Sequence, residues 1–311
     1  MKRSIHETAA RRTVFTIGNF DGVHRGHVEV FRTARALADR EMARLVAVTF
    51  TKTPKAALTP EAYAGDLLTL ADKEKYLRLQ GVDEIIWLQP TVAQMRQSAT
   101  EFLHMLQNNR HVVGVVVGEN FRFGADAQGT VTTLQNYAED AGWEVISVPL
   151  LQDAGGVVSS SEIRAAILAG KPERAATLLG RYWSIDETVL HGDQRGRTLG
   201  FPTANMALHE DRVAPRNGVY ATVARYDGTF LKGVTNVGTN PTFTDVPTRV
   251  ETYFPDFSAD LYGKRFRLFF VAYLRPEEKF SEVAALVAQM HNDTDRALHN
   301  LTEKLNIDMC W

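Results

Sequence analysis

Residues 13–27, "TVFTIGNFDGVHRGH", decide how the chain is read. An apolar run from Thr13 to Ile17 ends at Gly18, and a stretch with helical periodicity, "HVEVFRTARALADR", begins at His27. Strand, glycine-bearing turn and helix in that order make the first βα unit of a doubly wound sheet, whose turn lies beyond the carboxyl end of the strand. Gly18 and Gly22 suit such a turn because they let backbone approach a ligand closely. The turn does not need His24 and His27, though either alone also reads as an ordinary capping or surface residue. Three positions apart at the start of the helix, the two share one face, beside free N–H groups and the positive end of the helix dipole. Two imidazole donors and those amides form a cradle for charge developing on a phosphorus centre.

Working outward, the same grammar repeats. The runs "RLVAVTF", "VDEIIWLQ", "HVVGVVVG" and "WEVISVPL" alternate with the helical stretches "LLTLADKEKYLRLQG", "ATEFLHMLQNN" and "TVTTLQNYAEDAG". Strands apolar on both faces belong to a parallel sheet covered by helices on either side. "VSSSEIRAAILAGKPERAATLLG" then reads as two short helices broken at Lys171–Pro172. After Gly180 the pattern changes to period two, in "SIDETVLHG", "NGVYATVARYDGTFLKGVTNVG" and "KRFRLFFVAYL", with Asp227–Gly228 marking a hairpin. A single helical stretch, "SEVAALVAQMHNDTDRALHNLTEKL", closes the chain. The expected fold is α/β: a doubly wound parallel-sheet domain over residues 1–182, then an antiparallel β-barrel over residues 183–311 with a terminal helix.

Composition narrows the function. The chain has 311 residues, 44% of them hydrophobic, enough for two domains. Thirty-five basic residues against 37 acidic ones give a formal charge of −2, which argues against broad nucleic-acid binding. It leaves room for a small anion held by a few local donors. No stretch is apolar for long enough to span a membrane, and "MKRSIHETAARRTVF" lacks the apolar core of a secretory signal, so a cytoplasmic protein is expected. One cysteine, Cys310, excludes an internal disulfide and a cysteine cluster, and it is read as a loosely held tail thiol. Self-association is left open.

The β half has no G-x-x-x-x-G-K-[ST] loop, so motif arithmetic alone does not make it a kinase. Residues 191–206, "HGDQRGRTLGFPTANM", are nonetheless dense in Gly, Arg and small hydroxyls. Gly192, Gly196 and Gly200 permit a backbone nest for phosphates, with Arg197 beside it, and Thr203 and Asn205 supply neutral oxygens of the kind Mg²⁺ accepts next to nucleotide phosphates. An ordinary glycine-rich connection between strands fits the same letters.

"HRGH" resembles the HxGH signature of the nucleotidyltransferase superfamily, and "GNFDGVHRGH" resembles the opening of the bacterial bifunctional riboflavin kinase/FAD synthetase family. The resemblance runs from about Thr13 to Asp295, with motifs in family order. It implies that His24 and His27 stabilise attack on the α-phosphate of ATP, with Gly18, Asn19, Phe20, Asp21 and Gly22 in the phosphate turn. "VVVGENFRFGADAQG" is similar to the family's second motif and implies that Asn120 contacts flavin or phosphate; alternatively Phe121 and Phe123 are core and Asn120 simply turns the chain. "VSSSEIR" is similar to SSTxIR, with Ser159, Ser160, Ser161 and Arg164 matching, though a plain serine N-cap reads equally well. "GRTLGFPTAN" resembles the riboflavin kinase signature, which implies ATP at Gly196, Arg197, Gly200 and Thr203 and metal at Thr203 and Asn205. Glu251 in "VETYF" stands where the family has its general base, with Tyr253 where a His is common, and Arg275 of "RPEE" stands near flavin or nucleotide, in what reads as an exposed turn.

The implied activity is bifunctional: riboflavin and ATP give FMN, and FMN and a second ATP give FAD and pyrophosphate, both with Mg²⁺. One departure stands out. The family's "TFxPHP" reads "TFTKTP" here, so the histidine is missing and Lys55 follows as a point charge. The alternative is therefore a riboflavin kinase whose nucleotidyltransferase domain is altered or inactive.

Overall fold

The computed structural model describes residues 11–59, 61, 63–191, 195–238 and 248–311. By its contacts the chain divides into two compact units, Met1–Ser159 and Ser160–Trp311.

In the first unit β1 (Arg12–Ile17), β2 (Arg44–Phe50), β3 (Glu84–Leu88), β4 (His111–Gly118) and β5 (Glu144–Val148) form a parallel sheet in the order β3-β2-β1-β4-β5. Between them run α1 (Arg25–Arg40), α2 (Pro54–Leu58), α3 (Leu70–Leu79), α4 (Val92–Met95), α5 (Ala99–Gln107) and α6 (Val131–Ala141). The chain moves outward from β1 to β3, then returns to lay β4 on the other side of β1. That reversal makes the β1/β4 carboxyl ends the switch point where such sheets bind ligands.

Both sheet faces are apolar, as a doubly wound sheet requires. Phe15, Val46, Val48, Val115 and Val117 pack with Phe102, Leu103 and Leu106 of α5 and Leu134 and Ala138 of α6. Val14, Leu45, Ala47 and Val116 are fully buried on alternate positions. α1 buries Val30, Phe31, Ala34, Leu37 and Ala38 and packs on β1, β2 and β4. Gly114 sits within the valine run of β4 because a Cβ there would lie 2.7 Å from Cδ2 of Leu37. Two-residue strands β6 (Gln152–Asp153) and β7 (Gly156–Val157) pair just before the second unit.

The second unit opens with α7 (Ser160–Leu168) and α8 (Pro172–Leu179), broken where expected, with Pro172 in the first turn of α8 and Gly180 left-handed at its end. Then β8 (Ser184–Thr188), α9 (Arg195–Thr198), β9 (Thr203–Ala207), β10 (Gly218–Tyr226), β11 (Thr229–Gly238), β12 (Arg249–Tyr253) and β13 (Arg265–Arg275) follow, and α10 (Val283–Lys304). The six strands run β8-β13-β10-β11-β12-β9, all pairs antiparallel. The Leu190 N–H donates to the Asn205 carbonyl at 2.8 Å and nearly closes the sheet into a barrel. The β10–β11 hairpin turns at Asp227 (φ 45°) and Gly228 (φ 76°), the two positive φ values of a primed turn. Thr222, Thr235 and Thr252 are fully buried and link their hydroxyls at 2.7 and 2.8 Å across three strands, so each buried oxygen has a partner.

α10 lies on β10, β11 and β13 and buries Ala297 and Leu301. Cys310 is part of the same core at 4% exposure, and burial pushes its thiol up to about 11. It is thus a packed core residue, against the expectation of a loose tail. Tyr182 anchors this end of the chain, donating its hydroxyl to the Lys304 carbonyl and accepting the Asn306 N–H. No described helix is long and apolar enough to cross a membrane.

Candidate nucleotide and flavin sites

Each unit carries its own cavity. In the first, β1 ends at Ile17, and the turn that follows holds Phe20 (φ 46°), Gly22 (φ 83°) and Val23 (φ 38°) in the left-handed region. A β-branched residue there is strained, and strain of this kind persists where the surroundings fix it. Phe20 and Val23 are buried, and the Asp21 carboxylate accepts the Leu67 N–H at 3.1 Å on both oxygens. The turn is therefore tied down from behind before any ligand arrives. Asp21, expected among the phosphate residues, is 4% exposed and holds the segment that leads into α3.

His24 caps α1: the His27 N–H donates to its Nδ1 at 3.3 Å. An accepting Nδ1 puts the proton on Nε2, which makes that nitrogen a donor. The His27 ring stacks on His24 with centroids 3.6 Å apart and planes 19° apart, and it meets Phe20 edge-on. No acidic residue stands in the first turn of α1. Gly26 completes the arrangement, since a Cβ there would lie 3.2 Å from the His24 ring.

Beyond the strand ends lies a cavity of about 690 Å³. Ile17, Gly18, Asn19, Phe50, Phe121 and Phe123 are among its walls. Of the expected site residues Gly18 and Asn19 line it and His24 and His27 do not, and Asn19 Oδ1 is buried with no hydrogen-bond partner among the described residues. Asn120 lies exposed at the end of β4, where the Phe121 N–H closes a turn on Gly118. Phe121 and Phe123 stack on one another 5.3 Å apart and wall the cavity, and they also meet the core reading, Phe123 being buried in the core beside Phe102 and Phe121 packing against it. Arg96 and Arg122 at its edge were not singled out. Their signal was weak, because isolated arginines in loops carry no periodicity. Ser159 ends the first unit, and Ser160, Ser161 and Arg164 form the first turns of α7 in the second.

At the position of the missing histidine stands Thr53, 9% exposed. Its hydroxyl and that of Tyr63 both donate to Asp66 Oδ1. Pro54 and Leu58 of α2 reach the cavity, while Lys55 is exposed on the same short helix.

The barrel's cavity, about 590 Å³, is lined by Arg197, Gly200, Pro202, Thr203, Tyr253 and Tyr262 among others. Its glycines have stated reasons. Gly200 has φ 86°, and a Cβ on Gly196 would collide with the Phe201 carbonyl oxygen, which accepts nothing less than close backbone approach. The Leu199 and Phe201 N–H groups both donate to the Gly196 carbonyl, curling the segment tightly. Gly192 and residues 239–243 of "GVTNVGTNPTF" lie outside the described residues.

Glu251 sits in register between Asn236 of β11 and Asn205 of β9, so the three side chains share one face of the sheet. Asn205 Nδ2 donates to the Thr203 carbonyl at 3.2 Å and to its hydroxyl at 3.4 Å, leaving Oδ1 as its remaining polar atom. Asn236, not anticipated, donates to Glu277 Oε1 at 3.4 Å. Arg275 is not in an exposed turn: its guanidinium grips both oxygens of Asp293, itself 4% exposed, and this pairing holds its pKa above the usual arginine value. Among the described residues no three His, Cys, Asp or Glu side chains come together as a metal site. Two neutral oxygens, from Thr203 and Asn205, instead suit a hard cation whose other ligands are phosphates and water.

Comparison with known proteins assigns both halves. Residues 6–162 match the model for FAD synthetase, and residues 179–301 match that for riboflavin kinase. The bifunctional riboflavin kinase/FMN adenylyltransferase of Listeria monocytogenes is 36% identical over 282 residues, covering 90% of each chain. The protein of the same name from Escherichia coli is 32% identical over 294 residues, covering 93% of this chain and 94% of that one. A crystal structure described as a macrolide-efflux protein from Streptococcus pneumoniae superimposes with a TM-score of 0.86 at 32% identity, over 96% of each chain.

Proposed function

The chain belongs to the bifunctional riboflavin kinase/FMN adenylyltransferase family, and on that premise we propose that it makes FMN from riboflavin and then FAD from FMN, with ATP in both steps. The ranges of the two family models support assigning adenylyl transfer to residues 1–182 and the kinase to residues 183–311. The observation that carries the adenylyltransferase reading is the stacked His24–His27 pair at the N-terminus of α1, at the switch point of a parallel sheet.

In adenylyl transfer an FMN phosphate oxygen attacks the α-phosphorus of ATP, and the bond to the bridging oxygen breaks to release pyrophosphate. His24 Nε2, His27 and the first amides of α1 donate to the oxygens on which charge accumulates, a contribution strongest in the transition state. Gly18 and Asn19 bring backbone and a buried amide oxygen to the cavity, and Phe50, Phe121 and Phe123 offer flat apolar walls of the kind an isoalloxazine needs. Asn120 is proposed to meet the flavin or its phosphate at the mouth.

In the kinase step the terminal ribityl hydroxyl attacks the γ-phosphorus, its proton passes to the Glu251 carboxylate, and ADP leaves. Gly196, Arg197, Gly200 and Thr203 are proposed to hold the nucleotide, and Arg275 to border the flavin. Thr203 Oγ1 and Asn205 Oδ1 are the oxygens that would hold Mg²⁺, which when bound offsets charge on the phosphoryl oxygens. A cytoplasmic location belongs to the same proposal.

The test supplies FMN, ATP and Mg²⁺ without riboflavin. FAD and pyrophosphate in equal amounts support the bifunctional reading. ATP-dependent FMN formation from riboflavin with no FAD from FMN reduces the protein to a kinase.

A further inference from the structure

Lys73, on α3, is 6% exposed, and nothing in the proposed chemistry uses it. A buried ammonium is costly unless it is paired, so its surroundings are informative. Its Nζ donates to the Phe50 carbonyl at 2.8 Å, where β2 ends at the cavity. Two carboxylates act on it, Asp21 from the β1–α1 turn and Asp66 from the segment before α3. From β3 the face of Trp87 lies 5.9 Å away, and on α3 itself Asp72 precedes Lys73 and Tyr76 follows it. Asp66 in turn accepts both hydroxyls of Thr53 and Tyr63. Lys73 is thus bonded to the end of β2 and drawn electrostatically toward Asp21 of the phosphate turn and toward Asp66, which accepts the hydroxyl of Thr53, the residue standing in place of the family's histidine.

We propose that Lys73 is a positioning residue for adenylyl transfer, its ammonium locking the β1–α1 turn and the loop after β2 into one geometry through Asp21, Asp66 and the Phe50 carbonyl. The inference rests on the adenylyltransferase reading of the first unit. Burial pulls the lysine down to about 8, against the opposing pull of Asp21 and Asp66. The lock is thus mostly charged at neutral pH and weakens as pH rises through about 8. The stability consequence has the opposite sign. Because the folded pKa lies below the unfolded one, the unfolded chain binds more protons above about 8, and Lys73 then contributes rising, not falling, stability. An alkaline loss of adenylylation caused by Lys73 is therefore not accompanied by unfolding of the first unit.

The experiment follows FAD formation from FMN and FMN formation from riboflavin in one full-length preparation, between pH 6 and 10, for the wild type, Lys73→Met, Lys73→Arg and Asp66→Asn, beside thermal unfolding. Lys73→Met is expected to lower kcat for FAD formation roughly 10- to 100-fold, with FMN formation within about twofold. Lys73→Arg, charged at all these pH values, removes the alkaline limb near 8. Asp66→Asn, which deletes a favourable charge, moves that limb to lower pH, and it serves as the deciding variant if either lysine variant is unfolded. Wild-type kcat and an unmoved alkaline limb in a folded Lys73→Met or Asp66→Asn overturn the proposal. Absence of FAD with the wild type overturns the adenylyltransferase reading instead, and the proposal with it.

Discussion

Truncation of His27 removes an imidazole that lies flat on His24 and edge-on to Phe20, while the cap of α1 depends on the His27 backbone N–H and survives. His27→Ala is accordingly expected to lower FAD formation roughly 10²-fold or more and leave FMN formation near wild type. Equal loss of both activities contradicts the division of labour. Glu251 makes the reciprocal case. Glu251→Gln keeps the shape of β12 between Asn236 and Asn205 but accepts no proton, so FMN formation is lost while supplied FMN is still adenylylated. The histidine pair stood out because the turn does not need imidazoles, whereas Glu251 was marked only by the resemblance to the family. The sequence did not show that Asp21 braces the turn, because that bond joins Asp21 to Leu67 across a fold the local letters do not encode.

Among the elements, the strands of the first unit were readable because both faces are buried, and the β10–β11 hairpin because Asp227 and Gly228 must take positive φ. The cavity-wall role of "NFRFG" was not legible: Phe121 and Phe123 are apolar core residues that also line the cavity, and only the placement of β4 shows the second role. The register that sets Asn236 beside Glu251 was equally hidden, since β11 and β12 pair across an intervening loop. The curl after α9 gives a test at this scale. A Cβ at Gly196 meets the backbone carbonyl of Phe201, which cannot step aside as a side chain would. Gly196→Ala should reopen that curl and raise the KM for ATP in FMN formation at least tenfold, with FAD formation from FMN unchanged; an unaltered KM removes this segment from the nucleotide site. Arg275 fastens β13 to α10 by a buried bidentate pair with Asp293. Arg275→Ala leaves that carboxylate without its cation, and denaturant unfolding should register a loss of about 3 kcal/mol in the barrel unit.

Across the whole molecule, two distinct hydrophobic periodicities already implied two domains, and a near-neutral charge argued against broad nucleic-acid binding; the enzymatic reading came from the motifs and the family they resemble. Each compact unit has its own core and its own cavity. The compact units divide at Ser159/Ser160, with α7 and α8 in the second, a division set by packing that periodicity alone did not locate. The account depends most on both halves acting in succession on one flavin. The direct measurement is a chromatographic time course from riboflavin, ATP and Mg²⁺ that separates riboflavin, FMN and FAD. FMN rising first and then giving way to FAD is the predicted result; FMN that accumulates with no FAD, under excess ATP, contradicts it.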